Sequence, residues 1–517
     1  MDAAVMIGVD IGTSGCRAVA FSSDGVAAGC GYAAEYPLYT PRTDWAEQDP
    51  ELIWQATAGL IRSVAGQVRS GGGRLLGICF SSVWHSFVPV DAAGAALAPM
   101  LIWGDSRSQR YSEQLRREQD AAAIYARTGC PVHPMYYLPR LLWFRRERPE
   151  LFARTAKFIS IKEYVLYRLT GEYIVDRSIA SGSGMYNLYL RDWDPALLAL
   201  AGISASQLSA VASTTQTVPL LPAAAVRLGL DAATPLVLGA GDGALANIGS
   251  GAVRPGQITA SIGTSGAVRT IVDAPRTDPR GRTWCYNLTD AHWVIGGAIN
   301  NGGIAFRWAR DKFAASEQQV AAKLEIDAYE LLSRYAEQKP AGSDGLIMLP
   351  FFSGERAPYW NADARGVLFG LNLNHGKRHL IRATMEGIVY RMFSIFTALQ
   401  EVAGPADEVR VSGSFVRSGL WLQIMADMFG TAIAVPEEAE GTAFGAAILG
   451  LYALGIIDSF DRIAAGIHIR KQYLPDAGNQ RRYRQLYEIY ERIYWKLQPE
   501  FAEIARLQRD WSQPEKV

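Results

Sequence analysis

The chain has no surplus of charge of either sign: Lys plus Arg and Asp plus Glu each number 51, so the formal net charge is zero. A protein that works mainly on nucleic acid or on an anionic membrane surface ordinarily carries a basic excess, and none is present. Cysteine is scarce. Cys16, Cys30, Cys79, Cys130 and Cys285 are scattered with no CxxC pair, which argues against a disulfide framework and against a structural zinc site. No apolar run is long enough to cross a bilayer. The first residues pass into the apolar stretch Val5-Met6-Ile7-Gly8-Val9 without a basic flank or a cleavage-type segment. These absences set the expectations of a cytoplasmic protein with neither a nucleic-acid nor a membrane partner.

What is present is a soluble, globular composition, 49% hydrophobic and 20% charged, in 517 residues. That length exceeds what one ordinary core organises, so two domains are expected. Short apolar runs alternate with longer amphipathic segments, the pattern of an α/β protein. Strands are expected at Val5 to Val9, Cys16 to Ser22 and Leu75 to Ser81. A helix should start after Asp49, with Pro50 in its first turn. One surface helix is expected from Glu113 to Arg127, and a long helix or helix pair from Tyr483 to Arg509.

The most informative feature is a repeat. Ile11-Gly12-Thr13-Ser14-Gly15 recurs unchanged as Ile262-Gly263-Thr264-Ser265-Gly266, each copy lying between strand-favouring stretches. That pattern describes a strand, a tight turn and a returning strand, and its recurrence points to a duplicated domain with a boundary near residue 245. A turn of Gly, Thr and Ser exposes backbone N–H groups and short hydroxyls, the groups that grip phosphate oxygens. Neither copy is a Walker A loop, because no Gly-Lys-Ser/Thr closes it. One copy alone would read as an ordinary hairpin turn; the pair reads as two phosphate grips.

Two carboxylates stand beside these features. Asp10 interrupts an apolar strand just before the first turn, where it can hold Mg²⁺ through water or simply cap the turn. Asp242 sits between two glycines in Leu238-Gly239-Ala240-Gly241-Asp242-Gly243-Ala244, at the end of a buried-looking strand. Phosphoryl transfer to an alcohol needs a base within hydrogen-bond reach of that hydroxyl, and a carboxylate serves. By itself, the segment would equally be a plain Gly-Asp-Gly turn.

With these pieces in place the chain resembles the FGGY carbohydrate kinases. The resemblance runs from Asp10 to about Asp458. Its most specific part is Gly366-Val367-Leu368-Phe369-Gly370-Leu371 with His379-Leu380-Ile381-Arg382-Ala383-Thr384-Met385-Glu386, similar to the family's carboxy-terminal signature. Glu355-Arg356-Ala357-Pro358-Tyr359-Trp360, Asn301-Gly302-Gly303-Ile304 and Gly413-Ser414-Phe415-Val416-Arg417-Ser418 follow in family order. The resemblance implies a two-lobed actin-like, ribonuclease H-like α/β fold with a cleft between lobes, a sugar-binding domain over 1–245 and a nucleotide-binding domain over 246–517. It implies ATP and Mg²⁺ as cofactors and a small sugar or sugar acid as substrate. Gly12, Thr13, Ser14, Gly263 and Thr264 would contact phosphate, and Gly303, Gly413 and Ser414 would border the adenosine. Asp10 and Asp242 would serve the metal, and Asp242 would be the general base. A serine stands at 414 where the family usually has a second glycine.

Within the family the likeness is greatest to gluconate kinases, through Trp84-His85-Ser86, Trp103-Gly104-Asp105-Ser106-Arg107-Ser108, Thr128-Gly129-Cys130-Pro131-Val132-His133-Pro134-Met135, Ile161-Lys162-Glu163-Tyr164 and Trp293-Val294-Ile295-Gly296-Gly297. It implies Trp84, His85, Asp105, Arg107, His133 and Asp242 as substrate contacts. His85 and His133 have the alternative of satisfied core histidines, and Arg107 that of an internal ion pair with Asp105. Tyr136, Tyr137 and Arg140 depart from the gluconate-kinase pattern: the two tyrosines either narrow the pocket or belong to the core, and Arg140 sets a planar fork in place of a lysine's point charge at a contact site. Alternatives within the same reading are a ketopentose, a tetritol or another aldonate as substrate. An actin- or Hsp70-like ATPase and a sugar sensor are the readings from other classes. A homodimer through the tail from Tyr483 is a further expectation.

Overall fold

The computed structural model describes residues 4–32, 35–42, 44–437 and 441–512. The chain packs as two compact units: residues 1–255, 271–295 and 440–467 form the first, and residues 256–270, 296–439 and 468–517 the second. The expected break at 245 falls inside the helix Asp242–Gly249, and the chain returns to the first unit twice after leaving it.

The first unit is built on a six-stranded sheet, in the order Thr217–Val218, Leu236–Gly241, Arg74–Ser82, Ala4–Ile11, Cys16–Ser22, Ala27–Tyr32. Ala4–Ile11 pairs antiparallel with Cys16–Ser22, as the first repeat predicts, and parallel with Arg74–Ser82. Successive strand residues face opposite sides of a sheet. Val5, Ile7, Val9 and Ile11 therefore join one core with Ile53, Trp54, Ile61 and Val64 of the helix Pro50–Ser70. That helix starts as expected: Asp49 accepts from the amides of Glu51 and Leu52, and Pro50 occupies the first turn. On the other face lies the helix Gly441–Ala453. Only a glycine at position 8 allows that packing, since a Cβ there would lie 1.9 Å from the Ala443 carbonyl oxygen. Asp10 shares the face of Gly8 and so points towards the start of this helix.

The second unit repeats the plan. Gln257–Ile262 pairs antiparallel with Gly266–Val272 and parallel with Glu408–Ser412, which Ile433–Pro436 and Ile469–Tyr473 extend in turn. A long helix, Lys377–Ala403, precedes the parallel strand here, as Pro50–Ser70 does in the first unit. The signature residue Glu386 is a buried anchor of that helix. Its carboxylate accepts from Arg382 Nε (2.8 Å), the Ser343 hydroxyl (2.7 Å), the Tyr483 hydroxyl (2.8 Å) and the Gly342 amide (2.9 Å).

One element expectation needs correction, and one is resolved between its alternatives. The helix expected from Glu113 to Arg127 is two, Gln109–Glu118 and Ala121–Thr128, because Asp120 turns out of helical geometry and caps the second through the Ala123 amide. The carboxy-terminal segment is the pair Ala477–Lys496 and Gln498–Ser512, with Pro499 just inside the second helix.

Candidate active site

In the first unit the chemistry gathers at the ends of the three central strands. Asp10 and Ser81 are register partners on adjacent parallel strands, and the Ser81 hydroxyl donates to Asp10 Oδ1 at 2.7 Å. The Thr442 hydroxyl donates to Oδ2 at 2.6 Å. Burial raises the Asp10 carboxyl above its ordinary range although both hydroxyls and Arg17 pull it down. The turn that follows is closed by the Gly12 amide on the Gly15 carbonyl (3.0 Å). Thr13 is held in two places, its hydroxyl accepting from Trp103 Nε1 (3.1 Å) and its carbonyl from Gln48 Nε2 (2.8 Å); Ser14 is exposed.

Asp242 opens the helix Asp242–Gly249 directly after the buried strand Leu236–Gly241. A helix amino terminus stabilises a carboxylate, and Oδ1 accepts from the Gly243 amide at 2.6 Å. The glycines before it are dictated by packing. Gly239 has φ +74, and a Cβ there would sit 1.8 Å from the Phe80 carbonyl oxygen; at Gly241 it would lie 2.0 Å from Trp84 Nε1. Trp84 donates to the Ser178 carbonyl (3.2 Å) and meets Trp284 and Tyr286 edge-on at 5.4 and 5.0 Å. His85 is held in the left-handed region (φ 65), a conformation that marks a constrained position in a non-glycine residue. Its Nδ1 lies 2.8 Å from the Gly182 carbonyl, so that nitrogen carries the proton. Its ring stands edge-on to Tyr136 at 5.2 Å.

The remaining expected substrate contacts are engaged with the protein itself. Asp105 is buried and binds Arg107 through Nε (2.9 Å) and Nη2 (2.7 Å), while Arg107 also reaches Glu47 at 2.7 Å. Asp105 Oδ2 accepts from the Ala46 amide as well (2.8 Å), so the internal ion pair fixes the 103–107 loop. His133 accepts from the Met135 amide at Nδ1 (3.3 Å). Arg140 is fully buried and donates to three carbonyls, those of Pro134 (3.2 Å), His85 (2.5 Å) and Ile102 (2.6 Å). Burial lowers its pKa to about 10. It ties together the three segments that carry Trp84–Ser86, Trp103–Arg107 and His133, and so belongs to the core, which corrects its reading as a contact to sugar. Tyr136 and Tyr137 take their core alternative, bonded to the Tyr286 hydroxyl (2.8 Å) and the Ser86 carbonyl (2.9 Å).

In the second unit the repeated turn opens on a cavity of about 1210 Å³, whose lining includes Gly263, Thr264, Gly303, Phe306, Tyr329 and Ser414. The turn sits on the start of the helix Gly303–Phe313. The Gly303 amide donates to the Gly263 carbonyl at 2.7 Å and the Ile304 amide to that of Thr264 at 3.1 Å. Gly413 (φ 104) leads into the turn at Ser414, and a Cβ on it would lie 2.4 Å from the Ile262 carbonyl oxygen.

The residues fit a water-mediated magnesium site rather than a protein cage. No group of three or more His, Cys, Asp or Glu positioned to hold a metal occurs among the described residues. Asp10 is a single half-buried carboxylate, and Mg²⁺ is characteristically held by one or two carboxylates, waters and the phosphates of its substrate. Among the described residues, no helix is long and apolar enough to cross a membrane.

Sequence reasoning missed Ser81, Thr442, Ser178, Trp284 and Tyr286. The small-residue run Gly441-Thr442-Ala443-Phe444-Gly445-Ala446-Ala447 was the available signal for close helix packing, but nothing in it points to Asp10.

Two strand–turn–strand units, each followed by a helix and a parallel strand, define a two-domain actin-like, ribonuclease H-like fold. Comparison with known proteins gives the particular family. Residues 5–249 match the N-terminal domain of the FGGY family of carbohydrate kinases, and residues 258–454 match its C-terminal domain. The chain is 43% identical over 506 residues to the gluconokinase of Bacillus subtilis (strain 168), covering 98% of each chain. A crystal structure of gluconate kinase from Lactobacillus acidophilus superposes with a TM-score of 0.90 at 32% identity, over 97% of this chain and 100% of the other. A ligand-bound xylulose kinase from Lactobacillus acidophilus gives the same figures. The chain belongs to the FGGY family of carbohydrate kinases, which use ATP as phosphate donor.

Proposed function

We propose that this protein phosphorylates gluconate at the expense of MgATP, giving 6-phosphogluconate. The observation that carries the sugar is the 43% identity to a gluconokinase over 98% of both chains. The backbone does not choose the sugar, since structures described as gluconate and as xylulose kinases superpose equally well.

In this reading Asp242 takes the proton from the attacking hydroxyl, its carboxylate oriented at the helix start by the Gly243 amide. The aromatic group of Trp84, Trp284 and Tyr286 with His85 walls the sugar side. The turns at Gly12–Ser14 and Gly263–Thr264 present amides and hydroxyls to phosphate; Gly303 and Ser414 border the nucleoside in the large cavity, with Gly413 setting the turn at Ser414. Asp10 would hold Mg²⁺, and the ion would supply positive charge against that of the transferring phosphoryl group.

The test is ADP release from MgATP, coupled to an indicator reaction, across a panel of aldonates, ketoses and polyols. Gluconate is expected to give the highest kcat/KM. A higher value for xylulose or a polyol would keep the kinase and overturn the sugar. No turnover on any compound, with ATP still bound, would favour a sensor.

A further inference from the structure

The short helix Arg177–Gly182 touches the candidate site at three places, Trp84, His85 and Gly241. The Ser178 carbonyl accepts from Trp84 Nε1, and the Gly182 carbonyl meets His85 Nδ1. The Ser178 hydroxyl, fully buried, accepts from the Gly241 amide at 3.1 Å. Gly241 is the residue before Asp242, and it is caught between that hydroxyl and the Trp84 indole, which leaves no room for a Cβ. The helix is itself pinned from below. Asp176 caps it through the Ile179 amide (2.9 Å) and forms a buried ion pair with Lys162 (2.7 Å). Lys162 also donates to the Ala240 carbonyl, one residue further back on the strand that carries Asp242 (3.3 Å).

The strand end before Asp242 is therefore gripped twice, at Ala240 by Lys162 and at Gly241 by Ser178. Both grips trace to one buried ion pair. A hydrogen bond to a backbone amide next to the reacting carboxylate sets the position of that carboxylate without touching substrate. Errors of about 1 Å in the position of such a group cost on the order of 10²-fold in rate.

We infer that Ser178 is a positioning residue for the phosphoryl transfer, acting through the Gly241 amide to set Asp242 against the sugar hydroxyl. The inference rests on Asp242 being the base. Ser178→Ala removes one oxygen from a buried position and leaves the bond from Trp84 to the Ser178 carbonyl in place. It should lower kcat by about ten-fold or more, with the KM for ATP within two- to three-fold of wild type. Ser178→Thr, which keeps the hydroxyl, should restore most of the loss.

The deciding measurement is a double-mutant cycle with Asp242→Asn. If Ser178 acts through Asp242, then Ser178→Ala should change the residual rate of Asp242→Asn by less than about two-fold. An equal fold-loss in both backgrounds, or an unchanged kcat in the single variant, would overturn the inference. Near-wild-type turnover by Asp242→Asn alone would instead overturn the base assignment, a distinguishable outcome. Melting temperatures within a few degrees of wild type confirm that the variants are compared as folded proteins.

Discussion

The two copies of Ile-Gly-Thr-Ser-Gly are identical in sequence, yet they differ in pairing and in surroundings: Ile11 pairs with Cys16 but Ile262 with Gly266, so the second hairpin closes one residue shorter. Asp10 faces Arg17 across the first hairpin and Ser81 across the parallel strand. The matching places around the second turn hold Ser261, Ala267 and Ser412. The turns themselves also differ in freedom. Thr13 is half-buried and tied to Trp103 and Gln48, whereas Thr264 is exposed on the wall of the large cavity. In the proposed mechanism one backbone device would serve two ends of a reaction: beside the half-buried acids it would stand where proton and metal chemistry are done, and beside the cavity it would bind phosphate.

That comparison breaks most visibly at the acids. Asp242→Asn should lower turnover by roughly 10²–10⁴-fold while ATP still binds. Asp10→Asn should lower turnover by about 10²-fold and raise the Mg²⁺ concentration needed for half-maximal rate. Ser261→Ala, at the equivalent place in the second unit, should change turnover less than about three-fold. Steady-state rates across a magnesium titration check all three. Comparable losses from Asp10→Asn and Ser261→Ala would remove the asymmetry.

A smaller effect separates the two threonines. Thr264→Val deletes a hydroxyl facing the cavity and should weaken nucleotide affinity by about ten-fold, the worth of one charge-assisted hydrogen bond, with kcat little changed. Thr13→Val deletes the acceptor of Trp103 Nε1 and should act mainly on kcat, because that bond holds the turn to the 103–107 loop. Calorimetric titration with ADP alongside steady-state kinetics tells them apart. Equal losses of ADP affinity would make the turns functionally equivalent.

How far these contrasts were legible in the sequence follows from range. The repeat foretold both hairpins because a glycine turn between strand-favouring residues is a local signal, and the expected strand Cys16 to Ser22 matches its observed bounds. Asp49 and Pro50 announced their helix for the same reason. The partners of Asp10 were not legible, since Ser81 and Thr442 lie 71 and 432 positions away and are brought to it by strand register and by helix packing. Arg140 read as a contact to sugar because its charge is visible in sequence; that all three of its donors end on carbonyls is a property of the packed core. The single boundary near 245 left out the chain's two returns to the first unit for a related reason. A duplicated sequence suggests a single cut, but Gly441–Ala453 must return to cover the first sheet.

The smallest effect concerns acidity behind the first site. Glu163 closes a capping box with Ser160, its carboxylate accepting from the Ser160 amide at 2.6 Å, at the start of the helix Ile161–Thr170 that carries Lys162. Burial, only partly countered by Ser160 and Ser209, pushes its carboxyl up to about 7 from an ordinary 4.5. A carboxyl whose folded-state pKa is raised binds its proton more tightly when folded. Its contribution is therefore fully present below pH 4.5 and is lost as pH rises through about 7. Glu163→Gln keeps an oxygen for the cap and stays neutral at every pH. Its melting temperature relative to wild type should climb between pH 4.5 and 7 and then level off, by a few degrees at most, corresponding to no more than about 3 kcal/mol. Calorimetry at pH 5, 6, 7 and 8 reads this directly. A difference that stays constant across that range would mean that Glu163 is ionised throughout, and that the first unit carries its buried acid at no cost that pH can reveal.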